Sequence, residues 1–145
     1  MDTIRHILQI KGFDVWSCTP RTTVFDALRT MADKNLGALL VMDNDKVVGI
    51  FSERDYARKV ILHGRSSKET LVGDIMTSKL ITIHPDQTIE EAMEMMTNRR
   101  VRHLPVMEAD RLVGMISIGD VLREIIYSQR AKIRDMEDKI LKKES

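Results

Sequence analysis

The sequence has a single cysteine, Cys18, which excludes an internal disulfide framework and any cysteine-rich zinc site and makes a reducing cytoplasm the default setting. An excess of one charge is also missing. The 23 basic and 22 acidic side chains leave a formal net charge of +1, without the basic surplus on which nonspecific nucleic-acid binding relies. No apolar run approaches the ~18–20 residues of a membrane span. The start, Met1-Asp2-Thr3-Ile4-Arg5-His6, lacks the pattern of a signal peptide. Neither nucleic acid nor membrane is therefore expected as a partner. Enzyme signatures are absent too. His6, His63, His84 and His103 are scattered without an H-E-x-x-H spacing, and there is no P-loop, Gly-rich dinucleotide fingerprint or Gly-x-Ser-x-Gly elbow. The expectation is a chain that is not an enzyme, with no catalytic residues, no metal ligands and no required cofactor.

What is present is 145 residues with 43% apolar content, enough for one compact domain or two small halves burying roughly 70% of the unfolded surface. The chain also repeats itself. Displaced by 65 residues, its halves align without a gap. Pro20, Thr23, Ala27 and Met31 meet Pro85, Thr88, Ala92 and Met96, and Leu39, Val41, Met42 and Asp45 meet Leu104, Val106, Met107 and Asp110. Val48-Gly49, Ser52 and Asp55 meet Val113-Gly114, Ser117 and Asp120. The intervening substitutions are mild, such as Val24/Ile89, Asp26/Glu91 and Lys46/Arg111. The chain is a tandem duplication.

Each half reads as strand, helix, strand, strand, helix. A short apolar strand, about Asp14–Cys18 and again Leu80–Ile83, ends at a proline. Thr23 and Thr88 stand where N-caps are wanted, followed by apolar residues at i, i+3, i+4 and i+7. Two apolar runs flank Asp43-Asn44-Asp45-Lys46 in one half and Glu108-Ala109-Asp110-Arg111 in the other, each pair making a hairpin. Second helices start near Glu53 and Ile118. Outside the repeat, Asp2–Lys11 reads as an amphipathic helix stopped by Gly12, His63–Thr70 as a flexible connector and Leu71–Met76 as a helical turn. The natural division is 1–77 with the first half and 78–145 with the second. The last helix runs to about Lys143. Its Leu122, Ile126, Gln129, Ile133, Met136 and Ile140 alternate spacings of four and three, which suits either a coiled-coil seam between subunits or packing on its own domain.

Two such units, each closing with Gly-x-x-Ser-x-x-Asp (Gly49 to Asp55 and Gly114 to Asp120), resemble a pair of CBS domains, a Bateman module. Val72-Gly73-Asp74-Ile75-Met76-Thr77 and Arg102-His103-Leu104-Pro105-Val106 support the resemblance, which covers about residues 4–127. The chain is similar to the small stand-alone bacterial type. The resemblance implies an α/β (α+β) fold of two β-α-β-β-α units packed through their sheets about a pseudo-twofold axis. It also implies clefts between them that take AMP, ADP, ATP, NAD(H) or S-adenosylmethionine as regulatory ligands, and a homodimeric disc, parallel or antiparallel.

The residues themselves admit two readings. Ser52 with Asp55, and Ser117 with Asp120, have the spacing of a capping box, in which the serine caps the helix and the acid answers it. In the family the same aspartate contacts the ribose of the ligand, and the serine and helix start face phosphate. Arg102 and His103 enter a strand and are candidates for phosphate, sometimes in this family that of a nucleotide in the other half's cleft. Their counterparts, Gly37 and Ala38, carry no charge, so equal sites are not expected. Arg54, Arg58 and Arg123 lie on or beside the second helices, reaching phosphate or solvent. The resemblance places Cys18-Thr19-Pro20 and Ile83-His84-Pro85 against adenine; as plain sequence they are ordinary strand ends. Trp16 is most simply core or rim packing and Cys18 a small core residue. The leading expectation is a regulatory sensor that binds an adenosine-containing nucleotide and signals by conformational change to an unknown effector protein. The alternative is a constitutive dimerisation or protein-interaction module without a physiological ligand.

Overall fold

The helix–hairpin–helix part of each repeat is reproduced in the computed structural model, which describes residues 2–144. The order is α1 (Ile4–Lys11), β1 (Ser17–Cys18), α2 (Val24–Lys34), β2 (Ala38–Asp43), β3 (Lys46–Ser52) and α3 (Glu53–Tyr56), which continues as a wider π turn over Ala57–Ile61. Then follow α4 (Val72–Ile75), α5 (Ile89–Arg99), β4 (His103–Glu108), β5 (Arg111–Ser117) and α6 (Ile118–Glu144). Thr23 and Thr88 cap α2 and α5 as their positions predict. Each hydroxyl accepts a hydrogen bond from the N–H three residues on, at 3.1 Å from both Asp26 and Glu91. The mixed α/β architecture holds two small sheets, ordered β1-β2-β3 and β4-β5.

Both hairpins share one register. Ala38 faces Ser52 and His103 faces Ser117, and each ladder slips by one residue past Val41 and Val106. That bulge sharpens the local twist of each hairpin. The turns are two-residue turns with both central residues left-handed: Asn44 and Asp45 in the first, Ala109 and Asp110 in the second. This geometry matches the twist of the flanking strands.

The first strands are shorter than their apolar runs suggest. β1 is only Ser17–Cys18, pairing in parallel with Leu40 and Val41, and its counterpart shrinks to a single bridge between Ile83 and Val106. Proline explains the difference between halves. In the first, the Leu40 N–H donates to Trp16 O at 3.4 Å, extending the ladder by one bond. The position equivalent to Leu40 is Pro105, which has no N–H to give to Ile81. His63–Thr70 also departs from the flexible connector expected of it. Ser67 and Thr70 carbonyls accept from the Phe25 and Val24 N–H groups, so the segment closes the open end of α2, and Thr70 is buried.

The compact units do not divide at 77/78. One runs over Asp14–Thr82; the other joins the residues up to Phe13 with those from Ile83 onward. Each unit thus contains one repeat plus the segment that precedes the other. In the first-repeat unit the core is Val24, Ala27, Met31, Leu39, Val41, Phe51, Val60, Val72 and Ile75, so α4 closes the same core as α2 and the sheet. Ile4, Ile7 and Leu8 of α1 are buried in the other unit, as are Ile89, Met96, Leu104, Val106 and Ile116. The repeated Val-Gly pairs mark these approaches. A methyl on Gly49 would lie 2.6 Å from Met76 Sδ and 2.9 Å from Thr77 O, and one on Gly114 would lie 2.8 Å from Leu8 Cδ2.

Candidate functional site

At the end of β3 the chain turns into α3 and Ser52 becomes its cap. The Ser52 hydroxyl accepts from Asp55 N–H at 3.2 Å, while Asp55 Oδ2 accepts from the Ser52 N–H and hydroxyl, both at 3.0 Å. The reciprocal box read from the spacing is therefore present. Asp55 is 8% exposed, and a carboxylate so placed must be fully paired. Its second oxygen, Oδ1, accepts from Thr77 Oγ1 at 3.0 Å and lies 3.0 Å from Lys59 Nζ. Lys59 Nζ also donates to the Ile75 carbonyl at 3.0 Å.

The second repeat builds the same corner with more cations. The Ser117 N–H donates to Asp120 Oδ2 at 2.8 Å and the Asp120 N–H to Ser117 Oγ at 3.2 Å. Lys11, the last residue of α1, donates to the same Oδ2 at 2.6 Å and to the Met115 carbonyl at 2.8 Å. Asp120 Oδ1 is held by Arg123 at 2.5 Å, whose side chain is 74% exposed. Asp120 itself is 7% exposed. Burial alone would push its carboxyl up, but the Lys11 ammonium and the Ser117 hydrogen bonds outweigh that and hold it below the usual carboxylate range. His103 faces Ser117 across the hairpin. Burial first, then the nearby Lys11 and Arg102 charges, lower its pKa against the opposing pull of Asp120, so at neutral pH it is an uncharged donor or acceptor.

The remaining candidates fall into place around these corners. The Arg102 side chain is exposed just ahead of β4, and its carbonyl accepts the first N–H of α6, from Ile118, at 2.8 Å. Arg54 is half-buried on α3 and Arg58 exposed on the π turn, and Lys59 pairs with Asp55. Cys18 is half-buried, packs on the core, and burial pushes its thiol up to about 11. Thr19 and Pro20 form the turn into α2, with the Thr19 N–H donating to Thr22 Oγ1 at 3.0 Å. Ile83 and Pro85 are buried, and His84 is exposed, its Nδ1 accepting from the Asp86 N–H at 3.0 Å. Trp16 lies at the rim, with Lys34 Nζ 4.3 Å above its ring. A groove of about 460 Å³ is lined by Leu28, Met31, Ala32, Asn35, Leu36, Glu53 and Tyr56.

Two sets of metal-ligand-type side chains occur among the described residues: Asp2, His6 and Glu124, and His84, Asp86 and Glu108. In the second, Arg5 already bridges the two acids, at 3.1 Å from Asp86 and 2.7 Å from Glu108. Lys11, Thr77 and Lys59 are the site residues that reading the sequence missed. Lys59 is four residues after Asp55, a legible helical pair. Lys11 and Thr77 come from segments outside the repeat; Thr77 ends the Val72–Thr77 motif, but nothing local assigns either residue to a carboxylate.

The sequence profile of the CBS domain matches residues 4–62 and 72–127. The mitochondrial CBS domain-containing protein CBSX3 of Arabidopsis thaliana is 43% identical over 142 residues, 91% of this chain and 68% of that protein. A solved CBS-domain protein of Burkholderia ambifaria superposes with a TM-score of 0.85 at 46% identity, over 88% of this chain and 96% of that one. The CBS domain pair of protein MJ0100, solved with 5′-methylthioadenosine and S-adenosyl-L-methionine, shares the fold at a TM-score of 0.78 and 21% identity, over 88% of this chain and 98% of that one.

Proposed function

The chain belongs to the CBS-domain family, and from that premise we propose that it binds an adenosine-containing ligand at its Ser-x-x-Asp corners and acts as a regulatory sensor. CBS domain pairs are regulatory modules, and the MJ0100 pair holds two adenosine-containing ligands. In this chain the observation that carries the reading is the pairing of Asp120. One of its oxygens is locked into the helix cap; the other is held, among the described residues, by a solvent-exposed arginine. A ribose diol can take that second oxygen without undoing the cap, and the released Arg123 is then free for phosphate. Asp55 offers the same corner, with Thr77 and Lys59 on its second oxygen.

The two corners are unequal. Lys11 and Arg123 pair with one buried carboxylate and Arg102 adds its charge next to His103, a surplus of positive charge that suits a phosphate-bearing ligand such as AMP, ADP, ATP or NAD(H). The first repeat puts Gly37 and Ala38 where Arg102 and His103 stand. The Asp120 corner is therefore the stronger site for phosphate, with Ser117, Arg102 and His103 beside it. Arg54 and Arg58 serve the Asp55 corner with Ser52. The residues at 18–20 and 83–85 flank the adenine. The protein has no catalytic role, works as a homodimer in a reducing cytoplasm, and passes its ligand state to an effector protein. No helix among the described residues is long and apolar enough to cross a membrane.

The second reading, an interaction module without a ligand, is favoured by one fact: every oxygen of Asp55 and Asp120 already has an internal partner. Thermal unfolding against AMP, ADP, ATP, NAD, NADH and S-adenosylmethionine separates the two. A ligand at a hundredfold its dissociation constant adds about 2.7 kcal/mol, several degrees for a chain of this size. A shift with one of them supports the sensor. No shift with any, in protein freed of co-purified nucleotide, leaves the interaction module.

A further inference from the structure

Every described residue from Gln129 to Lys142 of α6 is exposed. A helical arm of that length has marginal stability alone in water, so a partner surface is needed to hold it. Most of its large apolar residues share one face, with Leu141 the one off it. Ile133, Met136 and Ile140 are 55%, 63% and 56% exposed and, with Leu122, Ile126 and Gln129, lie on one seam about 27 Å long.

The register of that seam specifies the occupant. The three-and-four spacing puts Ile126, Ile133 and Ile140 at one core position of the heptad, a, and Leu122, Gln129 and Met136 at the other, d. The β-branched isoleucines at a suit two parallel strands, while the d positions of the outer half are Gln129 and Met136. The flanking charges agree. Lys132 falls at g and Glu137 five residues on at e, so in a parallel, in-register pair each Lys132 meets the partner's Glu137, twice by symmetry. In an antiparallel pair g faces g, and Lys132 and Lys139 would be opposed. Gln129 is the one polar residue of the seam. In a parallel pair it meets its own copy, where an amide both donates and accepts, and in any other register it would face an aliphatic side chain.

We propose that the outer half of α6 pairs with the same helix of a second copy as a parallel, in-register coiled coil. The inference rests on the homodimer proposed above but not on its ligand. It is tested on the full chain by oxidising a Met136→Cys variant and by sedimentation of charge variants. Wild-type protein is the control, because Cys18 is half-buried with a raised thiol pKa. Parallel pairing predicts a rapid disulfide-linked dimer of Met136→Cys. It also predicts at least a threefold weaker association for Lys132→Glu and recovery in Lys132→Glu/Glu137→Lys. A dimer that does not cross-link through Met136→Cys, or that is tightened by Lys132→Glu, overturns the helix pairing and leaves the homodimer standing. A monomer overturns both.

Discussion

Lys11 and Asp120 lie 109 residues apart in sequence and are joined by an ion pair of 2.6 Å, with Lys11 also bonded to the Met115 carbonyl. The pair fixes the end of α1 to the start of α6, and it puts a cation at the one carboxylate that caps the second repeat's last helix. Asp120 is nearly fully buried, while Lys11 keeps about a third of its side chain in solvent. Removing the lysine leaves a buried carboxylate paired, among the described residues, with the cation of Arg123. For Lys11→Met, a loss of about 1–2 kcal/mol is expected, less than the 3–5 of a fully buried pair because Lys11 is part-exposed. Urea denaturation checks it, as a lower midpoint at unchanged slope.

The pKa of His103 is depressed in the fold, chiefly by burial and then by Lys11 and Arg102, while Asp120 pulls the other way. The unfolded chain therefore binds a proton near pH 6.5 that the folded chain refuses. The His103 contribution is complete above pH 6.5 and is lost as the pH falls toward the lower folded value. Melting temperatures measured between pH 7.5 and 5.5 will fall more steeply for wild type than for His103→Gln. The lowered carboxyl of Asp120 acts in a separate window. Its contribution is present above about pH 4 and lost only as the pH falls further, through the folded value.

The two repeat glycines predict unequal costs for the same substitution. At Gly49 a methyl meets a backbone carbonyl, Thr77 O at 2.9 Å, as well as Met76 Sδ, so the bridge between Ile50 and Thr77 must open. At Gly114 the neighbours are Leu8 methyl groups, which can rotate away. Gly49→Ala is expected to lose about 2–3 kcal/mol and Gly114→Ala about half as much, compared by urea midpoints.

The turn at Ala109 invites a gain. Ala109 sits at φ 49°, a left-handed conformation that costs an ordinary L-residue roughly 1–2 kcal/mol, and the first repeat has Asn44 at the same place. Ala109→Asn should stabilise the protein by about 0.5–1 kcal/mol, visible as a higher melting temperature, because asparagine tolerates this region.

The duplication explains how much could be read in advance. Thr23, Thr88, both hairpins and both Ser-x-x-Asp corners depend on residues close in sequence, and each appears twice, so local chemistry was sufficient to find them. The misses are long-range. No periodicity says that α1 joins the unit running from Ile83 onward, so Lys11 could not be assigned to Asp120. The shortened strand at Ile83 follows from Pro105, twenty-two residues away, through a missing N–H. The polar stretch His63–Thr70 looked like a loose connector because its order comes from carbonyls serving α2, which composition does not reveal.

In the proposed sensor Asp120 holds a ribose, with a weaker companion at Asp55. Calorimetric titration of AMP and of ATP into wild type, Asp55→Asn and Asp120→Asn tests it most directly, with circular dichroism to show that each variant is folded. Saturable binding is expected in wild type, weakened at least tenfold, about 1.4 kcal/mol, in Asp120→Asn and less in Asp55→Asn. Binding left unchanged by both substitutions, or heat of dilution alone with wild type, would contradict it.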